Sequence, residues 1–156
     1  IVIDVNQGWT FEQLKAFTPI CEDLRIAMIE QPLPRGGDQM LEGYQSPIPL
    51  CADESCLDSS ELKQAAQRYQ MINIKLDKTG GLTEALKLAR KAKAQGLDLM
   101  VGNMLGTSLA MAPGFVISQL CKFVDLDGAL LLQDDRDSAM SYSDGQVSQP
   151  SPMLWG

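Results

Sequence analysis

Residues 71–101 read MINIKLDKTGGLTEALKLARKAKAQGLDLMV and have the pattern of a strand, a helix and a second strand. The apolar runs Met71 to Ile74 and Leu97 to Val101 are short and uninterrupted, which is typical of parallel strands covered on both faces. Between them, Thr83 to Gln95 places Ala and Leu on one helical face and Lys and Arg on a solvated one, and Gly96 is a stop signal. The unit predicts an α/β fold with right-handed crossovers.

The same alternation extends outward from this unit to about residue 130. Thr10 is expected to cap a helix, with Gln13 completing a capping box, and Ser59-Ser60-Glu61 is expected to open another helix in the same way. The other predicted strands are Ile1 to Ile3, Ile26 to Ile29, Ile48 to Cys51 and Phe123 to Val124.

Composition narrows the classes of function. The 156 residues are 45% hydrophobic and 21% charged, as in a soluble globular domain, and no apolar run approaches the roughly 18 residues of a membrane span. Twenty acidic against 13 basic residues give a net charge of −7, which disfavours nucleic acid as a partner and suits divalent cations. The absence of histidine excludes His-based zinc sites, Ser-His-Asp triads and imidazole acid/base chemistry.

The four cysteines show no CxxC spacing, and three lie in or beside apolar runs. We therefore interpret them as reduced structural residues of a cytoplasmic protein. Cys56, in a more polar setting, is the one candidate for a reactive thiol.

A polar side chain follows each predicted strand. Successive positions are separated by steps of 26, 23, 22 and 50 residues, the last corresponding to two units of 25. Such spacing puts the side chains at equivalent positions on neighbouring βα units, so they converge on the C-terminal face of a (β/α) barrel, where catalytic residues gather. The residues are Asp4, Glu30, Asp53, Lys75, and Asp125 with Asp127.

Asp4, Glu30 and Asp53 can stay ionised close together only if a cation binds between them. Ligation by oxygen alone favours a hard ion, Mg²⁺ before Mn²⁺ or Ca²⁺. Beside such a cation, partial burial would lower the pKa of Lys75 and make it a general base, with Lys78 as the weaker candidate. The alternatives are carboxylates that cap helices or solvate loops, and a lysine that only extends to solvent.

Several segments, in chain order, resemble the enolase superfamily, specifically its muconate-lactonizing subgroup and the dipeptide epimerases within it. The segments are DVNQGW (4–9), IEQP (29–32), ADES (52–55), NIKLDKTGG (73–81), VGNMLGTS (101–108), DLDG (125–128) and SPMLWG (151–156).

This resemblance implies Mg²⁺ ligands at Asp4, Glu30 and Asp53 on barrel strands three to five, and the acid/base Lys75 on strand six. It implies that Asp125 and Asp127 hold the α-ammonium group of a dipeptide. The implied activity is epimerisation of alanyl-glutamate-type dipeptides through a metal-stabilised enolate. A cycloisomerase, an o-succinylbenzoate synthase and a non-catalytic truncated member remain alternatives.

The chain starts with Ile1 inside a core-strand pattern, so we expect part of a longer protein. Residues 1–132 would be strands three to eight of a TIM-type barrel. Residues 133–156 would be a tail with a hairpin from Met140 to Val147 that packs on an N-terminal capping domain. That domain, the first strands and the family's Lys-x-Lys base would lie outside the chain. The fragment alone is then expected to be inactive, and homo-oligomerisation is left open.

Overall fold

The structure, a computed structural model, describes all 156 residues and contains one six-stranded parallel sheet. The strands lie side by side in chain order and form a half-barrel, which confirms the predicted α/β class. The strands are β1 (Ile3–Asp4), β2 (Ile29–Glu30), β3 (Leu50–Ala52), β4 (Met71–Lys75), β5 (Asp98–Gly102) and β6 (Phe123–Val124).

Helices on the outer face connect consecutive strands, except β2 and β3, which a loop with one 3₁₀ turn joins. They are α1 (Phe11–Asp23), α2 (Leu62–Ala65), α3 (Leu76–Thr79), α4 (Leu82–Ala94) and α5 (Ser108–Ser118), with 3₁₀ turns at Gln39–Leu41 and Gly128–Leu131. The amphipathic segment forms α4 as predicted, packing Leu88 and its neighbouring alanines against β4, β5 and α5. Gly96 ends it with a φ of +79°, and the Thr10–Gln13 capping box opens α1.

The period of two along each strand separates an outer and an inner face of the sheet. The outer face packs against the helices as a cluster of 28 buried residues, which forms the main core. On the inner face, Met28, Cys51, Met71 and Met100 form a small apolar floor. Counting two residues further along these strands reaches Glu30, Asp53, Asn73 and Gly102. The alternation thus places the polar strand ends directly above the floor.

Two local predictions were wrong. Ile1 and Val2, expected in a buried strand, are 89% and 41% exposed, because β1 lies at the sheet edge and pairs only with β2. Ser59 and Ser60 do not cap a helix: Ser60 bonds to Asp58, and the single turn α2 begins after Glu61 without a side-chain cap.

The cysteines are all free, and Cys56 is fully buried. Burial raises the pKa of its thiol to about 11, so the candidate for a reactive thiol is corrected to an inert buried residue. No helix combines the length and the apolar character that crossing a membrane requires.

The tail forms the predicted hairpin from β7 (Tyr142–Ser143) and β8 (Gln146–Val147), which pair antiparallel. Asp144 and Gly145 have φ values of 50° and 73°, the left-handed conformations of a two-residue hairpin turn. The tail is tied to α5 through Ser108, whose backbone N–H donates to Asp135 at 2.9 Å and whose hydroxyl accepts from the Met140 N–H at 3.0 Å. The expected packing of the hairpin on a capping domain stays a prediction.

The assignment of the two faces of α4 is testable. We expect Leu88→Ala to lower the free energy of unfolding by about 2–5 kcal/mol, because it leaves a cavity under a fully buried side chain. Lys91→Ala on the exposed face should change it by less than about 0.5 kcal/mol. Urea unfolding of both variants measures the difference, and equal effects would contradict the assignment.

Candidate active site

The inner face opens at the strand ends into a cavity of about 330 Å³. Four of the six predicted site residues line it together: Asp4, Glu30, Lys75 and Asp125. Register explains part of this convergence, since Asp4 pairs directly with Glu30 across β1 and β2. These four polar side chains at the strand ends therefore lie on one face of the sheet, as the spacing predicts.

Asp53 lies buried beside this cavity, and both of its carboxylate oxygens are engaged. Lys75 Nζ donates to Oδ2 at 2.7 Å, and Lys78 Nζ donates to Oδ1 at 2.5 Å. Lys78 is also within hydrogen-bonding distance of the carbonyl oxygens of Asp53 (2.7 Å) and Asn73 (2.8 Å). Lys78, the weaker candidate from sequence, is thus a buried, firmly held countercharge of Asp53.

Glu30 is almost fully buried, and its pKa is raised to about 7. Burial is the largest cause, and the nearby carboxylates of Asp53 and Asp4 add to it. Asn73 acts in the opposite direction by donating from Nδ2 to Glu30 Oε1 at 2.6 Å. The raised pKa therefore reflects first the burial of Glu30 and second the carboxylates beside it.

Without a cation, the pKa of Lys75 lies above its usual value, not below it. Burial favours the neutral amine, but the hydrogen bond from Lys75 to Asp53 and the charges of Asp53 and Glu30 outweigh burial. With these partners Lys75 is held as an ammonium, and the lowered pKa expected beside a divalent cation stays a prediction.

The donor set fits a hard divalent cation. Asp4, Glu30 and Asp53 offer only carboxylate oxygens, which are the ligands that such an ion prefers, and the carboxylates of Asp53 and Asp4 lie near enough to Glu30 to raise its pKa. No group of three such side chains stands in ligand geometry, because Asp53 is turned to its two lysines and Asp4 Oδ1 accepts from the Asn6 N–H at 2.8 Å. Binding would require Asp53 to exchange a lysine for the ion.

Asp125 and Asp127 lie together at a second cleft of about 380 Å³, which the hairpin borders with Tyr142, Gln146 and Val147. Asp125 lines both cavities and so marks their junction. Partial burial and the neighbouring Asp127 carboxylate raise the pKa of Asp125. Two adjacent carboxylates suit a ligand ammonium, which offers three donors.

Gln31 is a site residue that the sequence reasoning missed. It is fully buried at a φ of 35°, and its Oε1 accepts from the N–H groups of Asp53 (2.9 Å) and Ser55 (3.1 Å). Its Nε2 donates to the Leu33 carbonyl at 2.8 Å and to the Tyr69 hydroxyl at 3.2 Å. Gln31 thereby links the loops after β2 and β3, and its only sequence signal is its place in the IEQP segment.

A family model described as enolase C-terminal domain-like matches residues 1–152. The chain belongs to this family. Among relatives of the enolase-like chain, an N-acetyl-D-glutamate racemase from a Pseudoalteromonas species is 48% identical over 155 residues, covering 99% of this chain and 49% of the relative. The L-Ala-D/L-Glu epimerase of Escherichia coli K12 is 47% identical over 147 residues, covering 94% and 46% respectively.

Solved structures agree with this assignment. An enolase family member from Agrobacterium tumefaciens with homology to dipeptide epimerases, with bound sodium and L-Ala-L-Glu, has a TM-score of 0.97 at 47% identity, covering 100% of this chain and 48% of its own. A dipeptide epimerase from Methylococcus capsulatus complexed with Mg and L-Arg-D-Lys has a TM-score of 0.87 at 30% identity, covering 94% and 44%.

These matches confirm that the half-barrel is the C-terminal barrel part of the enolase fold. The enolase-like chain spans about half the length of the curated relatives that it matches.

Burial of Glu30 gives a pH dependence that can be measured on the metal-free protein. Between pH 4.5 and about 7, Glu30 therefore stays protonated in the folded state, whereas it loses its proton in the unfolded state. Stability should therefore fall by about 3 kcal/mol as pH rises from 4.5 to about 7, and level off above.

We expect Glu30→Gln to remove this part of the pH dependence in urea unfolding with a chelator present. Asp98→Asn, which alters an exposed ion pair with Lys122, is the control and should retain it. An unchanged pH profile in Glu30→Gln would contradict the environment described for Glu30.

Proposed function

We propose that the chain is part of a Mg²⁺-dependent dipeptide epimerase that inverts the α-carbon of the C-terminal residue of alanyl-glutamate-type substrates. The observation that carries the proposal is the meeting of Asp4, Glu30 and Lys75 in one cavity, with Asp125 leading from it to Asp127. The similarity to named epimerases and racemases supports the reaction class, an isomerase.

In this proposal, Asp4, Glu30 and Asp53 hold Mg²⁺ through oxygen atoms alone. When bound, Mg²⁺ would supply positive charge where negative charge develops on the substrate as the α-proton leaves. Lys75 Nζ takes the α-proton from one face and returns a proton in the reverse direction. The base for the opposite face is, from the family resemblance, a lysine outside this chain.

The second cleft provides the substrate's other anchor. Asp125 and Asp127 bind the dipeptide's α-ammonium group, which orients its second residue toward Lys75. The similarity to an N-acetyl-D-glutamate racemase supports a second candidate substrate, an N-acylated glutamate. Such a substrate lacks the ammonium group, so the two candidates differ in their need for these carboxylates.

The type of substrate and the cellular location are inferred from the amino-acid composition. The net charge of −7 favours a small-molecule substrate over nucleic acid, and four free cysteines fit a cytoplasmic location.

The role of Lys75 is tested on the complete gene product with Mg²⁺ in D₂O, with proton NMR following the α-hydrogens of L-Ala-L-Glu. Wild type should lose the glutamyl α-proton signal and form the other diastereomer. Lys75→Ala should slow epimerisation by about 10²–10⁴-fold, because one face of the α-carbon loses its base.

Lys87→Ala, at an exposed lysine on α4, is the matched control and should retain wild-type activity. Epimerisation that persists in Lys75→Ala would show that another group does the chemistry. No exchange in wild-type protein that binds Mg²⁺ would argue for the cycloisomerase or synthase alternatives.

Asp127→Asn separates the two candidate substrates. Loss of a charge-assisted hydrogen bond should lower kcat/KM for L-Ala-L-Glu by about 10- to 100-fold, while leaving N-acetyl-glutamate turnover nearly unchanged. Parallel rate measurements on both substrates supply the comparison. Equal losses on both substrates would rule out ammonium recognition as the role of Asp127.

A further inference from the structure

The two lysines on Asp53 are held very differently. Lys78 Nζ bonds to Asp53 Oδ1 and reaches the backbone carbonyls of Asp53, Asn73 and Cys56, at 2.7, 2.8 and 3.4 Å. Lys75 Nζ has one acceptor, Asp53 Oδ2. A cation that takes an oxygen of Asp53 displaces the lysine with fewer bonds, so Lys75 is the one that moves.

Near Lys75, the side-chain oxygen of Asn73 is a hydrogen-bond acceptor that has no donor. The residue is 1% exposed, and its Nδ2 donates to Glu30 Oε1 at 2.6 Å. Its Oδ1 is buried and has no hydrogen-bond partner. Since buried carbonyl oxygens are nearly always paired in folded proteins, this orphaned oxygen points to a donor that arrives in another state of the site.

The side chains of Asn73 and Lys75 both lie against Gly102. A Cβ atom built on Gly102 lies 2.9 Å from Asn73 Oδ1, 2.7 Å from Asn73 Nδ2 and 3.0 Å from Lys75 Cε. The amide oxygen and the last methylene of Lys75 therefore pack against the same bare face of the β5 backbone. A side chain larger than hydrogen at this position would occupy the space between them.

We propose that Asn73 Oδ1 is a second hydrogen-bonding position of Lys75, which the lysine takes when a divalent cation occupies Asp53. Gly102 keeps the path between the two positions open, and Asn73 and Gly102 are positioning residues for the base. The inference rests on the proposed metal site. Its consequence is that the cation also releases Lys75 from its ion pair with Asp53.

Two crystal structures of the complete gene product without substrate test this directly, one with Mg²⁺ and one with a chelator. We expect Lys75 Nζ on Asp53 Oδ2 without the ion, and within hydrogen-bonding distance of Asn73 Oδ1 with it. Lys75 still bonded to Asp53 beside bound Mg²⁺ overturns the inference, as does Mg²⁺ that binds elsewhere.

Gly102→Ala provides a second test, with Gly37→Ala as its control. The Gly37 position tolerates a Cβ, whose nearest neighbour would be the Pro34 carbonyl at 3.4 Å. Gly102→Ala should lower kcat for dipeptide epimerisation by about 100-fold through a misplaced base, while KM and Mg²⁺ affinity, measured by calorimetry, change by less than about threefold. Gly37→Ala should match wild type in all three.

Wild-type kcat in Gly102→Ala, or a fall in Mg²⁺ affinity as large as that in kcat, overturns the inference. If Gly102→Ala does not fold, the pair of wild-type crystal structures still decides. The crystal test contains no substrate, so a Lys75 that moves in a protein inactive on dipeptides overturns only the proposed function. A Lys75 that stays on Asp53 in an active protein overturns only the inference made here.

Discussion

The ion pairs that Asp53 makes with Lys75 and Lys78 join the carboxyl ends of β3 and β4, and the rest of the site is arranged around them. Asp53 is buried beside a second buried acid, Glu30, so the two lysines supply the positive charge that this end of the sheet needs. Lys78 contacts three backbone carbonyl oxygens in addition to Asp53 and is a fixed positive charge. Lys75 is bound by one side chain only.

Around these ion pairs, uncharged side chains set the spacing of the acids. Gln31 joins the loop after Glu30 to the backbone of Asp53 and Ser55. Behind it, Tyr69 donates to Asp38 at 2.7 Å, and Asp38 pairs with Arg68 at 2.8 Å in a buried network. The positions of the candidate ligands thus depend on polar contacts that reach well behind the cavity.

Much of this arrangement could be predicted from sequence, because period and spacing are local properties. The amphipathic pattern of α4, the turn at Asp144-Gly145 and the even spacing of Asp4, Glu30, Asp53 and Lys75 all carry over to the structure. The importance of Lys78 and Gln31 could not be predicted, since it comes from partners about 22 to 25 residues away. The failed cap at Ser59 shows the same limit, since the Ser59 N–H donates to Glu84, which lies 25 residues away.

The hairpin contacts only one of the two cavities. It borders the cleft of Asp125 and Asp127, whereas the cavity of Glu30 and Lys75 is lined by the barrel strands and the residues that directly flank them. Changes in hairpin length or sequence therefore alter the shape of the cleft beside Asp125 and Asp127 without disturbing the strands that carry Asp4, Glu30 and Lys75. Within this architecture, the shape of the second cleft can vary with the tail while the side chains of the first cavity keep their places.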